Sequence, residues 1–311
     1  ISTRDWSSDV CSSDLFNARI PVEEKIGRYD QLIVMARHFI DDLRQAGFPE
    51  KKLHYFFHGS NTSLYRPLSL SEEDRHRYGA PVSFVSHFRD YTQVYPLLAP
   101  RIADRLYRRM AEEERFYPDE AIRLLREIEK EAGCFPIDEG LFRVKIWPPL
   151  SAAALRHPYL ESLKEYGLRI FGNGWGQDVR FASCAAGSAT HGDEACKVYN
   201  ASAINVNLHP ATNNHARIFD CLASGGFMLT WLTHEDAQPG GIADMFEVGK
   251  EIEVFRNKKE LQDKIRYYLT HDQERRTIAQ RGYERVLREH TIRHRMNQVL
   301  DIVWRGLQEE G

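Results

Sequence analysis

Between Tyr199 and Trp231 the chain reads YNASAINVNLHPATNNHARIFDCLASGGFMLTW, an order of polar residues that suits anion chemistry. The apolar run Ile204–Leu208 has the length of a buried strand, a polar loop follows, and a helix is expected to begin near Asn213 or Asn214. In a parallel sheet such a loop lies beyond the carboxyl end of its strand, where helix N-termini point unpaired N–H groups outward. Those groups and the helix dipole favour an anion by about 0.3–1 kcal/mol per charge at an exposed position. Arg217, one turn in, offers a guanidinium for a diphosphate. Asp220, three residues on, offers a carboxylate that accepts two hydroxyl hydrogens from a ribose. Gly225 and Gly226 end the helix and let the next strand approach. The bland alternative is an Arg217–Asp220 ion pair on a solvated helix face, and side-chain chemistry alone leaves both readings open.

The elements that must position these residues are legible in the hydrophobic pattern. Tyr29–Ala36 reads as a strand, His38–Ala46 as a helix stopped by Gly47 and Pro49, and Leu53–Phe57 as a second strand, the grammar of a parallel sheet. Arg66–Tyr78 is polar, contains Pro67 and reads as an interdomain linker. Val82–Ser86 opens a second series. Residues 91–133 carry two charged helical stretches separated by Pro118, with i,i+4 pairs such as Asp104–Arg108, and read as a solvated insertion. A helix is expected over Pro158–Tyr166, with its proline in the first turn and Gly167 at its end. Leu168–Phe171 then runs as a strand into Gly172-Asn173-Gly174-Trp175-Gly176. Strands follow at Phe227–Trp231 and Glu251–Phe255, and helices at His215–Ala223, Glu260–Leu269, Gln273–His290 and Ile292–Leu307. The expected architecture is α/β with two doubly wound domains, the first truncated. Residues 16–78 would be its remnant and linker, 79–290 the second domain with its insertion, and 291–311 a C-terminal helix.

Composition narrows the function classes. With 42% hydrophobic residues, 311 residues suffice for one large or two ordinary cores. A net charge of -3 without a basic stripe gives no electrostatic case for nucleic acid. Apolar runs such as Leu32–Ala36 and Gly225–Leu229 fall far below the roughly 18 residues of a membrane span, and no export signal is visible. Five cysteines without a C-x-x-C pair suit reduced thiols, so a cytoplasmic location is expected. The 13 histidines show no metal-ligand spacing, and no metal is expected. Asp5–Leu15, DWSSDVCSSDL, matches the conceptual translation of a sequencing adapter ending GTGTGCTCTTCCGATCT. Residues 1–15 are therefore expected to be an artefactual or disordered tail, with the natural N-terminus upstream of Phe16.

The ordered motifs resemble the CgeB-like (spore-maturation) glycosyltransferases, a branch of the group 1 GT-B families. The resemblance rests on Asn207-Leu208-His209 followed by Arg217-Ile218-Phe219-Asp220-Cys221-Leu222-Ala223-Ser224-Gly225. It continues through Met245–Glu251 and Glu289-His290-Thr291 before Arg295; upstream, Arg169–Trp175 is similar to the family's strand and G-x-G-W loop, and Leu53–Pro67 to the end of its N-terminal domain. The resemblance covers most of residues 29–300 and is strongest over 199–295.

This resemblance implies a GT-B-like fold, metal-independent transfer of a sugar from a nucleotide-diphosphate donor to an unidentified acceptor, and no further cofactor. Asp220 matches the second of two family glutamates, the ribose contact, whereas the first falls at Thr212, which carries no carboxylate. Arg217 and His209 are the catalytic candidates. Gly172, Gly174, Trp175, Asn207, Asn213, Asn214, Arg217, Asp220 and Gly225 are the donor-binding ones. His209 and Asn213 would touch the sugar or phosphates, although a histidine after a strand is as often a satisfied loop residue. Trp175 reads either as a wall of the base pocket or as core. Lys250 and Glu251 read as structural or as neighbours of the ribose. Two further classes stay open: a nucleotide-sugar epimerase of the same fold, and a non-catalytic nucleotide- or glycan-binding module.

Overall fold

The computed structural model describes residues 31–45 and 47–309. The tail expected over 1–15, and the first two residues of the strand expected at Tyr29–Ala36, lie outside the described residues.

By their internal contacts the described residues form two units, 31–55 with Asp90–Ser151, and Phe56–Arg89 with 152–309. This division differs from the expected boundary near residue 78. The chain visits the second unit at Phe56–Arg89, leaves it for the helices after residue 90, and returns at Ala152. The supposed insertion therefore groups with the N-terminal strands.

In the first unit, β1 (Leu32–Val34), α1 (Arg37–Gln45) and β2 (Leu53–Tyr55) make the expected parallel strand–helix–strand unit, with Leu32 opposite Leu53 and Val34 opposite Tyr55. Leu32, Val34, Ile40, Leu43, Phe48 and Leu53 form its core. The stretch expected as a linker is partly helical in the second unit. There α2 (Glu72–Tyr78) starts where the Ser71 hydroxyl accepts the Asp74 amide, and three acidic residues in its first turn suit the helix dipole. β3 (Val82–Val85) follows.

Back in the first unit, α3 (Pro100–Glu113) and α4 (Pro118–Ala132) each take proline in the first turn, and Gly133 in the left-handed region ends α4. They are less solvated than their charges imply. Ala121, Leu124, Leu125 and Ile128 are fully buried on one face of α4. A helical turn Glu139–Leu141 and a π-turn Phe142–Ile146 lead into α5 (Trp147–Glu161), which ends in the second unit. Pro158 lies inside α5 instead of opening a helix, and Lys164–Tyr166 is a separate 3₁₀ turn. Burial of Leu150, Leu155, Tyr159 and Leu160 outweighs the hydrogen bond that Pro158 cannot donate.

The second unit continues with β4 (Leu168–Phe171), α6 (Asp193–Ala201), β5 (Ile204–Asn207), α7 (Ala216–Ala223), β6 (Met228–Trp231), α8 (Ile242–Met245) and β7 (Glu253–Phe255). Three helices follow: α9 (Lys258–Thr270), α10 (Asp272–Glu289) and α11 (Ile292–Glu309). The five strands are all parallel, in the order β4-β3-β5-β6-β7. The connection from β3 runs outward to β4, while the next one crosses back to β5. In such a sheet the crevice beyond the carboxyl ends of β3 and β5 is where the winding reverses and where ligands bind.

Candidate functional site

Two arginines converge on that crevice. Arg217, in the first turn of α7, donates from Nη1 to Asn207 Oδ1 at 2.6 Å, and its guanidinium lies 5.8 Å from the ring centre of Phe84 in β3. Arg156, from α5, lies over the same ring at 5.7 Å and donates from Nε to the Leu208 carbonyl at 3.2 Å. Arg156 is only 5% exposed, its Nη1 is buried without a hydrogen-bond partner, and no ion pair reaches it among the described residues. Burial, then Arg217 and Arg89, all press against its charge and lower its pKa far below the usual value. An arginine nevertheless stays protonated near neutral pH. An unpaired buried charge costs several kcal/mol, so this corner of the molecule is electrostatically incomplete without an anion.

The loop from β5 to α7 is held by a buried amide network. Asn207 Nδ2 donates to Thr230 Oγ1 at 2.9 Å and to Asn213 Oδ1 at 3.3 Å, while Asn213 Nδ2 bonds the Trp231 carbonyl and Asp236. Asn214 accepts the His58 amide at 2.6 Å and donates to the Phe56 carbonyl at 2.6 Å. Thr212 is buried, and its hydroxyl accepts the Asn214 amide. Asn207 thus fixes the arginine, whereas Asn213 and Asn214 fix the loop.

Two histidines complete that loop. His209 Nδ1 accepts the amides of Ala211 and Thr212, and His215 Nδ1 caps α7 by accepting the Arg217 amide. Their rings stand 4.9 Å apart. These bonds assign the proton of each neutral ring to Nε2, making both rings donors at that atom. Burial, then the Arg217 charge, drives the pKa of His215 well down, so it stays neutral. A general-base role for His209 through Nδ1 is not what this geometry offers.

Asp220 does not pair with Arg217 on a solvated face. It is 6% exposed, and the Ser60 hydroxyl donates to its Oδ1 at 2.7 Å. Its Oδ2 stands 3.9 Å from Nε2 of the largely exposed His191. Burial lifts its pKa to about 7, against the opposing pull of the Ser60 hydroxyl and the Arg217 charge.

Gly225 is not brought to this site. It sits past the C-terminus of α7 at φ 76°, in the left-handed region that favours glycine. Lys250 and Glu251 are also elsewhere. Glu251 folds back on the Glu247 amide and faces Arg285 and Arg288, which delays β7 to Glu253.

The glycine loop after β4 divides the expectations. Gly172 (φ 150°) and Gly174 (φ 91°) line an open hollow of 430 Å³ with Asn173, Gln177 and Ser188. A Cβ on Gly172 would fall 2.1 Å from the Ser86 carbonyl oxygen. Trp175 is fully buried, donates to that same carbonyl at 2.6 Å and meets Phe84, Phe88 and Phe181 edge-on. It is core, not a wall of a pocket, because its N–H finds a partner inside the protein.

Sequence reasoning missed Arg156, Ser60 and His215. For Arg156 a signal existed: a lone arginine in the apolar run SAAALRHPYL is out of place unless something pairs with it. Among the described residues no group of three or more His, Cys, Asp or Glu could hold a metal ion, and no helix is long and apolar enough to cross a membrane.

Comparison with known proteins adds the wider context. No curated protein matches the sequence significantly. The structure of Anabaena HepE in complex with UDP and glucose is 12% identical at a TM-score of 0.50, covering 96% of this chain and 68% of its own. Sucrose-phosphate synthase from Thermosynechococcus elongatus is likewise 12% identical at 0.50, covering 98% and 67%. A glycosyltransferase from Rickettsia africae ESF-5 is 12% identical at a TM-score of 0.49, covering 89% of this chain, which spans 63% of that protein's length. Residues 154–301 match the family model described as glycosyl transferase-like, and the fold is the α/β, GT-B-like fold expected from the sequence.

Proposed function

We propose that the chain binds the diphosphate and ribose of a nucleotide sugar and serves a metal-independent glycosyltransferase, of the CgeB-like kind that its motifs resemble. The observation that carries this reading is Arg156, a buried guanidinium with no counter-ion among the described residues, set beside Arg217 at the winding reversal of the sheet. A diphosphate supplies the missing charge. The match of residues 154–301 to a glycosyl transferase-like model and the UDP held by the similar HepE support the same ligand class.

In this reading the bond from the sugar's anomeric carbon to the diphosphate breaks, the acceptor oxygen bonds that carbon, and the acceptor proton leaves. Negative charge grows on the departing diphosphate, where Arg156 and Arg217 stabilise it by preorganised electrostatics. The Nε2–H group of His215 adds a neutral donor. Asp220 takes the ribose hydroxyls, and the nucleoside extends past β3 toward the glycine-lined hollow. Two strand spacings, about 10 Å, separate the ends of β5 and β4.

Calorimetric titration of UDP and GDP into the full chain tests the reading. Arg217→Ala is expected to lose about 10- to 150-fold in affinity, the worth of one charge-assisted hydrogen bond, and Asp220→Asn is expected to weaken binding with little change in stability. Equal affinities for wild type and both variants would sink the assignment. Epimer formation from a nucleotide sugar without any acceptor would replace transfer by isomerisation.

A further inference from the structure

Asp220 owes its orientation to a segment far away in sequence. Residues 56–60 lie between the start of α7 and the junction of α10 with α11. Asn214 grips the carbonyl of Phe56 and the amide of His58. On the other side the Ser60 amide bonds the His290 carbonyl, the Ile292 amide bonds the Ser60 carbonyl, and Arg295 Nε bonds the His58 carbonyl at 3.0 Å. Gly59 is pressed so close that a Cβ would lie 2.8 Å from the Thr291 carbonyl oxygen. The backbone of this strap is tied to the fold at Phe56, His58 and Ser60, and the Ser60 side chain, 1% exposed, is aimed at Asp220 Oδ1. Its hold leaves Oδ2 as the oxygen on the side of the exposed His191 ring.

We infer that Ser60 is a positioning residue for ribose recognition: it pins one oxygen of Asp220 so that the other faces the vicinal hydroxyls of the nucleotide. The inference rests on the nucleotide-sugar reading and deepens it, because it makes the site selective for ribo- over deoxyribonucleotides. The groups facing Asp220 are Ser60 from the strap, Tyr65 just after it, His191 before α6, Tyr199 on α6, and Arg217 and Cys221 on α7.

A purely structural serine and a positioning serine differ in their response to pH. The ionised carboxylate is the better acceptor, so ribose recognition strengthens as pH rises through the folded pKa of Asp220, about 7. Removing the Ser60 hydroxyl removes a group that favours ionisation, and shifts that rise to higher pH.

The experiment titrates the full chain with UDP and GDP, each beside its 2′-deoxy analogue, from about pH 6 to about pH 8.5. Wild type is expected to prefer the ribonucleotide by about tenfold or more. Ser60→Ala is expected to lose about threefold or more of that preference near pH 6.5 and to regain most of it near pH 8.5. Ser60→Cys keeps the shape with a weaker donor and is expected to fall between the two; it carries the test if Ser60→Ala does not fold. A serine variant that binds with the wild-type preference and the wild-type pH midpoint overturns the inference while leaving the nucleotide reading intact. Failure of wild type to bind either diphosphate overturns both.

Discussion

Two loops leave the carboxyl ends of the five-stranded sheet, one after β4 and one after β5, and both stood out in the sequence for unusual residues. They are built on opposite plans. After β4, Gly172 lacks a side chain because the Ser86 carbonyl lies where Cβ would be, and Trp175 spends its N–H on that carbonyl. Every special residue there is explained by another part of the protein. After β5, Asn207, Asn213 and Thr212 are equally well satisfied, but Arg156, which bonds the Leu208 carbonyl through Nε, keeps a buried Nη1 with no partner among the described residues. A residue explained from within marks architecture. A buried charge with nothing inside to answer it marks a ligand.

That contrast is open to experiment, beginning with the largest effect. Gly172→Ala is expected to destabilise by about 3 kcal/mol or more, from a steric clash and a disfavoured backbone, while the folded protein keeps its UDP affinity within about threefold. Denaturant titration beside calorimetry reads both, and lost affinity at unchanged stability would move the glycine loop to the ligand side. Arg156→Met is expected to do the reverse. Affinity for UDP should fall about 10- to 150-fold, while stability holds or rises, because an unpaired buried charge is exchanged for an apolar chain of similar volume. A marked fall in melting temperature with affinity intact would show that Arg156 serves the core. The smallest effect belongs to Trp175→Phe. It removes one buried hydrogen bond, about 1 kcal/mol of stability, and leaves affinity unchanged in the same two assays.

The sheet was legible in the sequence because its strands are short apolar runs closed by polar loops, and that pattern identified β3 to β6. α5 was misplaced because Pro158 looks like a helix start, and only tertiary burial carries the helix through it. In the site, Arg217, Asp220 and the asparagines were visible because they lie within one strand–loop–helix. Trp175 was ambiguous, since a tryptophan after Gly-x-Gly reads the same from a pocket or a core. Arg156 was legible only as an arginine out of place in an apolar run, and Ser60 not at all, for a different reason. Their meaning depends on their partners in space, Leu208 and Phe84 for one and Asp220 for the other, and no local spacing encodes that meeting.

The strand order also sets a timetable for folding. Asn205 pairs with Met228 and Leu229 with Glu253, meetings across a single helix or short loop, whereas Val82 must find both Leu168 and Ile204 across the whole excursion from Asp90 to Ser151. Chain-closure entropy grows only logarithmically with loop length, but the search delays contacts that reward it late. β5, β6 and β7 are thus the strands that can assemble early, and β3, with β4 paired to it alone, joins after them. The crevice that gathers the arginines borders β3, so it is completed late. A nascent chain would acquire its anion affinity only late in its folding, after β5 has lost its bare edge to β3.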